Sequence, residues 1–379
     1  MGKDITKQIE INGRNLQIKI TNWAEQAAGS CLVQLGDTEV LATAVMSPNE
    51  PEGFDFFPLT VDYEERYYAA GRIFGSRFIR REGRPADEAI LSGRMIDRTI
   101  RPCFPKDFKR ETQIIITCLS WDGENDPDVL GLIAASTALS ISDIPFLGPV
   151  ALVRIGKIDG KWVFNPTYEQ REKSDIDLLL SGVDINGKVL TNMIEMRAKE
   201  ISETEVIEAT KVAEPELKKI IDFQRKIASD VGKQKITIPV ITDSQLEKEV
   251  KEFAEKKLAK AIKELKPKEK ELSTISDLKD ELVNLLEEKY PACNAYGVAD
   301  AGRSDPNKIK LGLELFEEEV KKAIHLQITK DNKRPDGRKR DELREVSCQV
   351  GVLPRAHGSG LFSRGLTRVL SILTLAMIG

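Results

Sequence analysis

The stretch GSCLVQLGDTEVL, residues 29–41, recurs near the end of the chain as GSGLFSRGLTRVL, residues 358–370. Seven positions are identical at a fixed offset: Gly29/Gly358, Ser30/Ser359, Leu32/Leu361, Gly36/Gly365, Thr38/Thr367, Val40/Val369 and Leu41/Leu370. In each copy a glycine separates two apolar runs, which indicates a β-hairpin. Upstream, Asn12-Gly13-Arg14 has a counterpart in Asp336-Gly337-Arg338. The matches favour an internal repeat of a domain-sized unit. Chance similarity between two hairpins is the alternative.

The overall composition gives no general basis for binding a polyanion. The 379 residues carry 57 Lys and Arg against 61 Asp and Glu, a net charge of -4, so any basic surface must be local. No apolar run has the length of a membrane span. The cysteines are scattered and lack CxxC spacing, which is typical of reduced thiols in a cytoplasmic protein; they are Cys31, Cys103, Cys118, Cys293 and Cys348.

A local basic surface is predicted between Tyr63 and Arg101. Nine arginines occur there, at positions 66, 72, 77, 80, 81, 84, 94, 98 and 101, with Tyr67, Tyr68, Phe74 and Phe78 among them. Three glycines, Gly71, Gly75 and Gly83, indicate a loop in the middle. Guanidinium groups pair with phosphate and aromatic faces stack on bases, so the loop is suited to single-stranded nucleic acid. A solvated loop with a few ion pairs is the open alternative.

The first part of the chain mixes strands and helices. Hairpins are predicted around Asn12-Gly13 and Gly36-Asp37. Asp87 is expected to cap a helix that ends near Ile100, and Asp126 to cap a buried apolar helix that starts at Pro127. Residues 194–228 are predicted to be helical. The share of antiparallel strands predicts an α+β fold.

The composition changes after Gly232. Residues 244–289 are rich in Glu, Lys, Leu and Ala, and a helix is predicted again over 311–328. We therefore predict three domains: a core over 1–232, an all-helical domain over 233–330, and the start of a second core over 331–379. The charge runs of the helical domain are solvated faces in the simplest interpretation, and partner or RNA contacts are the less favoured one. Because the second copy ends soon after its hairpin, we expect a sequence that has been cut short.

Other motifs for catalysis or metal binding are weak. His325 and His357 have no metal-ligating neighbours in sequence. The acidic segment Asp122, Glu124, Asp126 and Asp128 resembles a metal loop, but the glycine and final glutamate of a calcium loop are missing. No phosphate-binding glycine motif is present. From the residues we predict no metal site and no catalytic residue in this chain.

Several motifs resemble the polynucleotide phosphorylase family. They are Phe56-Phe57-Pro58-Leu59-Thr60-Val61, Ala69-Ala70-Gly71-Arg72, Arg80-Arg81-Glu82-Gly83-Arg84-Pro85, Ile96-Asp97-Arg98, Arg334-Pro335-Asp336-Gly337-Arg338 and Gly351-Val352-Leu353-Pro354-Arg355. The resemblance implies an RNase PH-like βαβα core, then a helical domain and the truncated start of a second such core. It also implies a nucleotidyltransferase that degrades messenger RNA from the 3′ end with inorganic phosphate and Mg²⁺, releasing nucleoside diphosphates. A homotrimer, with possible partners in an RNA-degradation complex, is expected.

The same resemblance assigns RNA-binding residues. The family's channel constriction corresponds to Phe78-Ile79-Arg80-Arg81, preceded by Arg77, with Ile79 in place of an aromatic residue. A channel-lining arginine corresponds to Arg338. The family's phosphate-binding serines and metal-binding aspartates belong to a part of the second core that this sequence lacks. The chain alone is therefore expected to be inactive, and a non-catalytic RNA-binding or assembly fragment is the alternative function.

Overall fold

The computed structural model of the chain describes residues 4–51, 56–73, 75, 82–238, 243–263, 271–293 and 299–376. The four RNA-binding residues predicted at positions 77, 78, 80 and 81 lie outside these ranges. The chain divides into two compact units, Met1–Val240 and Ile241–Gly379.

A six-stranded sheet begins the first unit. Its strands are β1 (Ile5–Ile11), β2 (Arg14–Ile20), β3 (Gly29–Leu35), β4 (Thr38–Met46), β5 (Leu59–Glu65) and β6 (Thr112–Ser120), in the spatial order β1-β2-β3-β4-β6-β5. Only β5 and β6 run parallel, and the other neighbours are antiparallel. Both predicted hairpins are confirmed. Asn12 and Gly13 turn with φ of 49° and 75°, and Gly36 turns with φ of 61°.

Two helices follow, α1 (Asp87–Ile100) and α2 (Pro127–Ile141). Every residue of α2 except Asp128 is buried, because its apolar and small side chains face packed elements on all sides. The predicted capping aspartates need correction. Asp87 is the first residue of α1 and Ala86 occupies the cap position. Asp126 does occupy the cap position of α2, but its carboxylate bonds no helix N–H because arginines compete for it.

A four-stranded antiparallel sheet lies on the other side of α2. Its strands are β7 (Val150–Ile158), β8 (Lys161–Phe164), β9 (Ile176–Ile185) and β10 (Lys188–Ala198), in the order β10-β9-β7-β8. The short helix α3 (Tyr168–Glu172) connects β8 to β9, and α4 (Glu203–Val231) follows β10. Since α2 packs against β3 and β4 and also against β7 and α4, it forms the centre of one hydrophobic core.

The prediction of a helix from Ile194 is wrong at its start. Ile194 pairs with Leu180 inside β10, and the helix begins at Glu203, nine residues later. Ser202 and Glu205 form a capping box that fixes this start. Pairing with β9 therefore overrides the helix-favouring composition of residues 194–200.

The residues after α4 pack against the carboxyl end of α2. The backbone N–H of Lys233 donates to Ile141 O at 2.9 Å, and that of Ile236 donates to Asp143 O at 2.9 Å. The Lys235 ammonium donates to the carbonyls of Leu139 and Ser142, at 2.6 and 2.7 Å. Burial lowers the pKa of Lys235 to about 8. Residues 233–236, the α2 strap, thus supply donors to carbonyls of the last turn of α2 and of the two residues that follow it.

The second unit contains α5 (Ser244–Lys263), α6 (Glu271–Lys289) and α7 (Pro306–Asp331). Leu246, Phe253, Leu286 and Phe316 lie in its own hydrophobic core. The all-helical prediction for residues 233–330 is wrong in one respect. Pro291–Cys293 (β11) and Ala299–Ser304 (β12) form a two-stranded antiparallel sheet. Pro291 explains the change, because proline lacks an N–H and disfavours helical backbone in the preceding residue.

The second unit also contains a three-stranded sheet of β13 (Val346–Val350), β14 (Gly358–Arg364) and β15 (Thr367–Leu373). Gly358 pairs with Leu373 and Arg364 with Thr367, which is the register of Gly29 with Ala44 and Leu35 with Thr38. The repeat in the sequence is therefore also a repeat of hairpin geometry. The mixture of helices and sheets confirms the α+β prediction. Within the described residues, no helix is both long and apolar enough to cross a bilayer.

Candidate functional site

The predicted RNA-binding loop is described up to its two ends. Arg66 precedes a short 3₁₀ turn, Tyr67–Ala70, which Gly71 closes with φ of 66°. The backbone N–H of Trp121, after β6, donates to Ala69 O at 3.0 Å and so joins this turn to the sheet. Tyr68 is 57% exposed and Ile73 is 75% exposed. The side chains at the loop entrance therefore face solvent, as a binding loop requires.

The loop returns to its starting point at Glu82. One Glu82 oxygen accepts from the Tyr67 N–H at 2.8 Å, and the other pairs with Arg66 Nη1 at 2.9 Å. Glu64 of β5 pairs with the second terminal nitrogen of Arg66. The hydrogen bond from Arg66 lowers the pKa of Glu82, and the one to Glu82 raises the pKa of Arg66. We call this group of Arg66, Tyr67 and Glu82 the loop clamp.

The two arginines on α1 and Arg101, directly after it, have different roles. Arg101 pairs with Asp97 of α1 at 2.7 Å and donates to the carbonyls of Phe57 and Leu59, both at 3.1 Å. It therefore joins α1 to the residues at the start of β5. Arg98 pairs with Glu195 of β10 at 3.1 Å. Arg94 is exposed and has no ion-pair partner among the described residues. Of the three, only Arg94 keeps its charge open to a ligand.

The other predicted RNA contact, Arg338, is held in its own turn. Its Nε and Nη2 contact Asp336 Oδ2 at 2.9 and 2.8 Å, and its Nη1 donates to Glu342 O at 2.7 Å. Its side chain is 17% exposed. The guanidinium therefore shapes the Arg334–Arg338 turn, and an additional RNA contact stays a prediction.

An ion cluster that the sequence did not predict lies at the amino end of α2. Arg154 of β7 binds Asp126, and its Nη2 lies 3.2 Å from Asp128 and its Nε 3.5 Å from Asp177. Arg171 also pairs with Asp126, at 2.9 Å. The Tyr168 hydroxyl donates to the other Asp126 oxygen at 2.9 Å. The only sequence signal for the cluster is an arginine within the apolar run of β7, since a buried arginine needs an acidic partner.

The carboxylates of the cluster lie at the amino end of α2, which is where a helix can bind an anionic ligand. The amino end of a helix carries partial positive charge and often binds phosphate. In α2 this place is taken by Asp126 and Asp128, and both are engaged by Arg154. Burial and the neighbouring Asp126 raise the pKa of Asp128. Because carboxylates occupy the helix end, inorganic phosphate would meet repulsion there.

A cavity of about 210 Å³ opens beside this cluster, lined by Glu88, Leu91, Ser92, Met95, Asp128, Arg154, Arg171, Asp177, Leu179, Glu195, Met196 and Arg197. One carboxylate oxygen of Asp128 and one of Asp177 are buried without a hydrogen-bond donor. Both aspartates lie beside the Arg154 guanidinium, which has no acceptor atom with which to bind a metal ion. In the part of the chain that the structure describes, no three His, Cys, Asp or Glu side chains are grouped to hold a metal ion.

The remaining residues of the suspected metal loop form a turn. Asp122 accepts the N–H groups of Glu124 and Asn125, both at 2.8 Å, and the Asn125 side-chain amide at 2.6 Å. Burial opposes ionisation of Asp122, but these hydrogen bonds prevail and lower its pKa to about 2. Asp122 therefore stabilises the backbone that leads into α2.

Comparison with known proteins assigns the first unit to a family. Residues 12–145 match the model of the 3′ exoribonuclease family, domain 1, and residues 148–215 match that of domain 2. The two segments together make up just over half of the chain. The first segment covers strands β2 to β6 of the six-stranded sheet with α1 and α2, and the second covers the four-stranded sheet and the start of α4.

The chain is also similar to longer proteins. It is 44% identical over 371 residues to polyribonucleotide nucleotidyltransferase of Heliobacterium modesticaldum, covering 98% of this chain and 49% of that protein. It is 44% identical over 372 residues to the enzyme of the same name from Geobacillus kaustophilus, again covering 98% of this chain and 49% of the relative. The chain thus spans about half the length of the relatives that it matches.

A solved structure of rice (Oryza sativa) Rrp46 aligns with a TM-score of 0.44 and 14% identity, over 60% of this chain and 94% of that one. The family assignment rests on the sequence matches alone. By these matches the chain belongs to the 3′ exoribonuclease family, in which it is similar to about half of a polyribonucleotide nucleotidyltransferase.

Proposed function

We propose that this chain is the RNA-holding half of a polyribonucleotide nucleotidyltransferase. The complete enzyme would be a cytoplasmic homotrimer that degrades messenger RNA from the 3′ end with inorganic phosphate and releases nucleoside diphosphates. The observation that carries the proposal is 44% identity over 98% of the chain to enzymes of that name. In this division of work the chain binds single-stranded RNA, while phosphate and Mg²⁺ are bound by residues outside it.

The ion cluster supports the proposal that phosphoryl transfer is carried out by residues outside this chain. Phosphoryl transfer needs donors for the phosphate and carboxylates that are free to bind the metal ion. Here the carboxylates at the amino end of α2 are paired with Arg154 and Arg171. The residues described do not fit a Mg²⁺ site, and we assign no reaction step to them.

RNA binding is assigned to the arginine loop through Arg77, Phe78, Arg80 and Arg81, with Arg338 as a further contact. The exposed side chains at the loop entrance and the open charge of Arg94 favour a surface that contacts RNA. Guanidinium groups would pair with phosphates and Phe78 would stack on a base. Such binding depends on charge and stacking and does not read sequence.

The RNA assignment is tested by titrating a short labelled oligoadenylate at several salt concentrations. The double variant Arg80→Ala with Arg81→Ala should bind more weakly and lower the slope of log affinity against log salt by roughly 0.7 for each phosphate that no longer pairs with an arginine. Phe78→Ala should cost about 1–3 kcal/mol of binding free energy if a base stacks on the ring. Lys211→Ala with Lys219→Ala removes the same charge from the exposed face of α4 and is the control. Equal affinities in all variants would refute the assignment.

Catalysis is tested with RNA, inorganic phosphate and Mg²⁺. The 379-residue chain should release no nucleoside diphosphate above background. Joining it to the remaining half of the Geobacillus kaustophilus relative should restore phosphate-dependent release. Release by the chain alone, abolished in the Arg80→Ala/Arg81→Ala variant, would show that the first unit is catalytic. If the joined protein binds RNA and stays inactive, the alternative function of a non-catalytic RNA-binding or assembly fragment is favoured.

A further inference from the structure

We propose that Trp121 is a base-stacking contact for single-stranded RNA. This deepens the proposed function, because it rests on RNA binding by the chain and names a residue that contacts the bases. It does not depend on the arginine loop. Trp121 follows directly after β6 and is 38% exposed. Stacking requires an aromatic face that is open to solvent and already held in place, because ordering a free side chain reduces the affinity.

The strand register places Trp121 at one end of the six-stranded sheet. Ser120, the last residue of β6, pairs with Glu39 of β4, shortly after the turn at Gly36. The strand β5 runs parallel to β6 and pairs with it up to Glu65. The turn that follows β5 therefore lies at the same end of the sheet as Trp121.

Two contacts hold Trp121 in place. Its backbone N–H donates to the Ala69 carbonyl at 3.0 Å, in the turn that also carries the exposed Tyr68. Its ring meets that of Tyr168 edge to face, with the ring centres 5.9 Å apart and an angle of 82° between the planes. Among the described residues, Tyr168 is the only aromatic ring in contact with Trp121. The indole therefore keeps a surface that a base can cover.

Tyr168 is itself fixed by the ion cluster at the amino end of α2. Its hydroxyl donates to Asp126 at 2.9 Å, and the Arg171 guanidinium lies 4.2 Å from the centre of its ring. Arg171 also pairs with Asp126, at 2.9 Å. The ring that Trp121 contacts thus has little freedom to move, and Tyr168 is the positioning residue for the indole.

The charges around Trp121 favour contact with a base over contact with a phosphate. Asp122 is the next residue, and Asp126 lies behind Tyr168. Both carboxylates are already hydrogen-bonded or ion-paired, and both repel a phosphate group. Loss of Trp121 should therefore weaken RNA binding without changing its dependence on salt, which reports phosphate contacts.

The test titrates the full chain with the labelled oligoadenylate and with an oligomer of the same length that lacks bases. Trp121→Ala should weaken binding of the oligoadenylate about tenfold, as expected for one stacked base, and leave the salt slope unchanged. Trp121→Phe should recover most of the affinity, because its ring can still stack. The base-free oligomer should bind the wild type and Trp121→Ala equally, which shows that the variant is folded.

Trp23→Ala is the matched control. Trp23 is 65% exposed, more than Trp121, and lies at the opposite end of the sheet. It follows β2, which starts near the turn at Gly36, with Leu16 opposite Leu35, and runs away from that turn. This variant should bind RNA as tightly as the wild type. Equal weakening by Trp23→Ala and Trp121→Ala would overturn the proposal, because any exposed indole would then have the same effect.

Variants of Tyr168 test the positioning role. Tyr168→Leu should weaken binding, and its effect should not add fully to that of Trp121→Ala, because both remove the same ring contact. Tyr168→Phe keeps the ring and should bind nearly as tightly as the wild type. If Tyr168→Phe binds as weakly as Tyr168→Leu, the ring does not position the indole and that step of the proposal is wrong.

Tryptophan fluorescence provides a readout with Trp121 intact. The chain has three tryptophans, and Trp23→Phe with Trp162→Phe leaves Trp121 as the reporter. The oligoadenylate should quench its emission, because a stacked base deactivates the excited indole, and the base-free oligomer should not.

Quenching, together with weaker binding by Trp121→Ala, supports the proposal. Oligoadenylate that binds this reporter variant normally without quenching overturns it. The arginine loop is judged separately, by Arg80→Ala with Arg81→Ala. Normal binding by that double variant would refute the loop assignment, whereas normal binding by Trp121→Ala would refute stacking on Trp121.

Discussion

Two hairpins, β3–β4 in the first unit and β14–β15 in the second, have the same register but differ in how far their side chains are buried. Both turn at a glycine with positive φ, 61° at Gly36 and 59° at Gly365. Yet Val40 is 0% exposed while Val369, its equivalent, is 52% exposed. Local sequence is enough to form the hairpin, whereas burial depends on what packs against it.

In the first unit the packing element is α2. It lies across β3 and β4, its amino end is held by the Arg154 cluster and its carboxyl end by the α2 strap. Substitutions at successive points of this arrangement should lower the stability of the first unit, and the second hairpin is the internal reference. Each compares the hydrogen-exchange protection of β3 and β4 with that of β14 and β15 as denaturant is increased.

The largest effect is expected for Arg154→Met. Removing one member of a buried ion cluster leaves uncompensated charge, which typically costs about 3–5 kcal/mol. The free energy of unfolding of the first unit should fall by that amount, and the second unit should be unaffected. Arg368→Met on β15, an exposed strand, should change either unit by less than about 0.5 kcal/mol. A small effect of Arg154→Met would mean that α2 is held by apolar packing alone.

Gly29→Ala and Gly358→Ala form the second comparison. A Cβ at Gly29 would lie 2.1 Å from the carbonyl oxygen of Ala138 in α2, which is backbone and cannot move aside alone. A Cβ at Gly358 would lie 3.3 Å from the Leu373 side chain. We expect a loss of about 3 kcal/mol for Gly29→Ala and less than about 1 kcal/mol for Gly358→Ala. Similar losses at both sites would show that the cost arises in the strand itself and not from the contact with α2.

Val40→Ala and Val369→Ala make the same change in both hairpins. Each removes two methyl groups, worth about 2 kcal/mol where the side chain is fully buried. Val40→Ala should therefore destabilise the first unit by about that amount, and Val369→Ala should cost less than about 0.5 kcal/mol. If Val369→Ala proves as costly, β15 is covered in solution by an element that packs on it.

The smallest effect, taken per unit of pH, concerns Asp128. Because the pKa of Asp128 is raised in the folded chain, the native state holds its proton to higher pH than the unfolded state does. Its stabilising contribution is complete below about pH 4, the unfolded value, and is lost as pH rises through the folded pKa near 7. The slope for one proton is at most about 1.4 kcal/mol per pH unit. Asp128→Asn should flatten the pH dependence of the first unit over this range, and an unchanged profile would contradict the assignment.

Much of the fold could be predicted because its signals are local. The turns at Asn12-Gly13 and Gly36-Asp37, the proline-started apolar helix α2 and the repeated hairpin each depend on a few adjacent residues. The strand β10 was missed, although Asn186-Gly187 at its start, with φ of 54° and 84°, is a hairpin signal of the same kind. The charged composition after Ile194 favours a helix, and pairing with β9, which lies outside this local signal, makes the segment a strand.

The site was predicted less completely because its contacts are distant in sequence. Nothing near Arg154 in the chain indicates that it will meet Asp126, Asp128 and Asp177, which come from α2 and β9. The same holds for Glu82 and Tyr67, which only the closure of the loop brings together. The arginine loop itself was identified from composition and from the family resemblance, and its RNA contacts stay predictions.

The α2 strap has a consequence for where the first unit can be shortened. Lys233, Lys235 and Ile236 follow the last helix of the unit, yet they donate four hydrogen bonds to the last turn of α2 and to the two residues after it. A fragment that ends at Val231 would lose all four, and the carboxyl end of this buried helix would keep fewer donors for its carbonyls. The boundary of a stable fragment is therefore expected after Ile236, although the last helix ends at Val231.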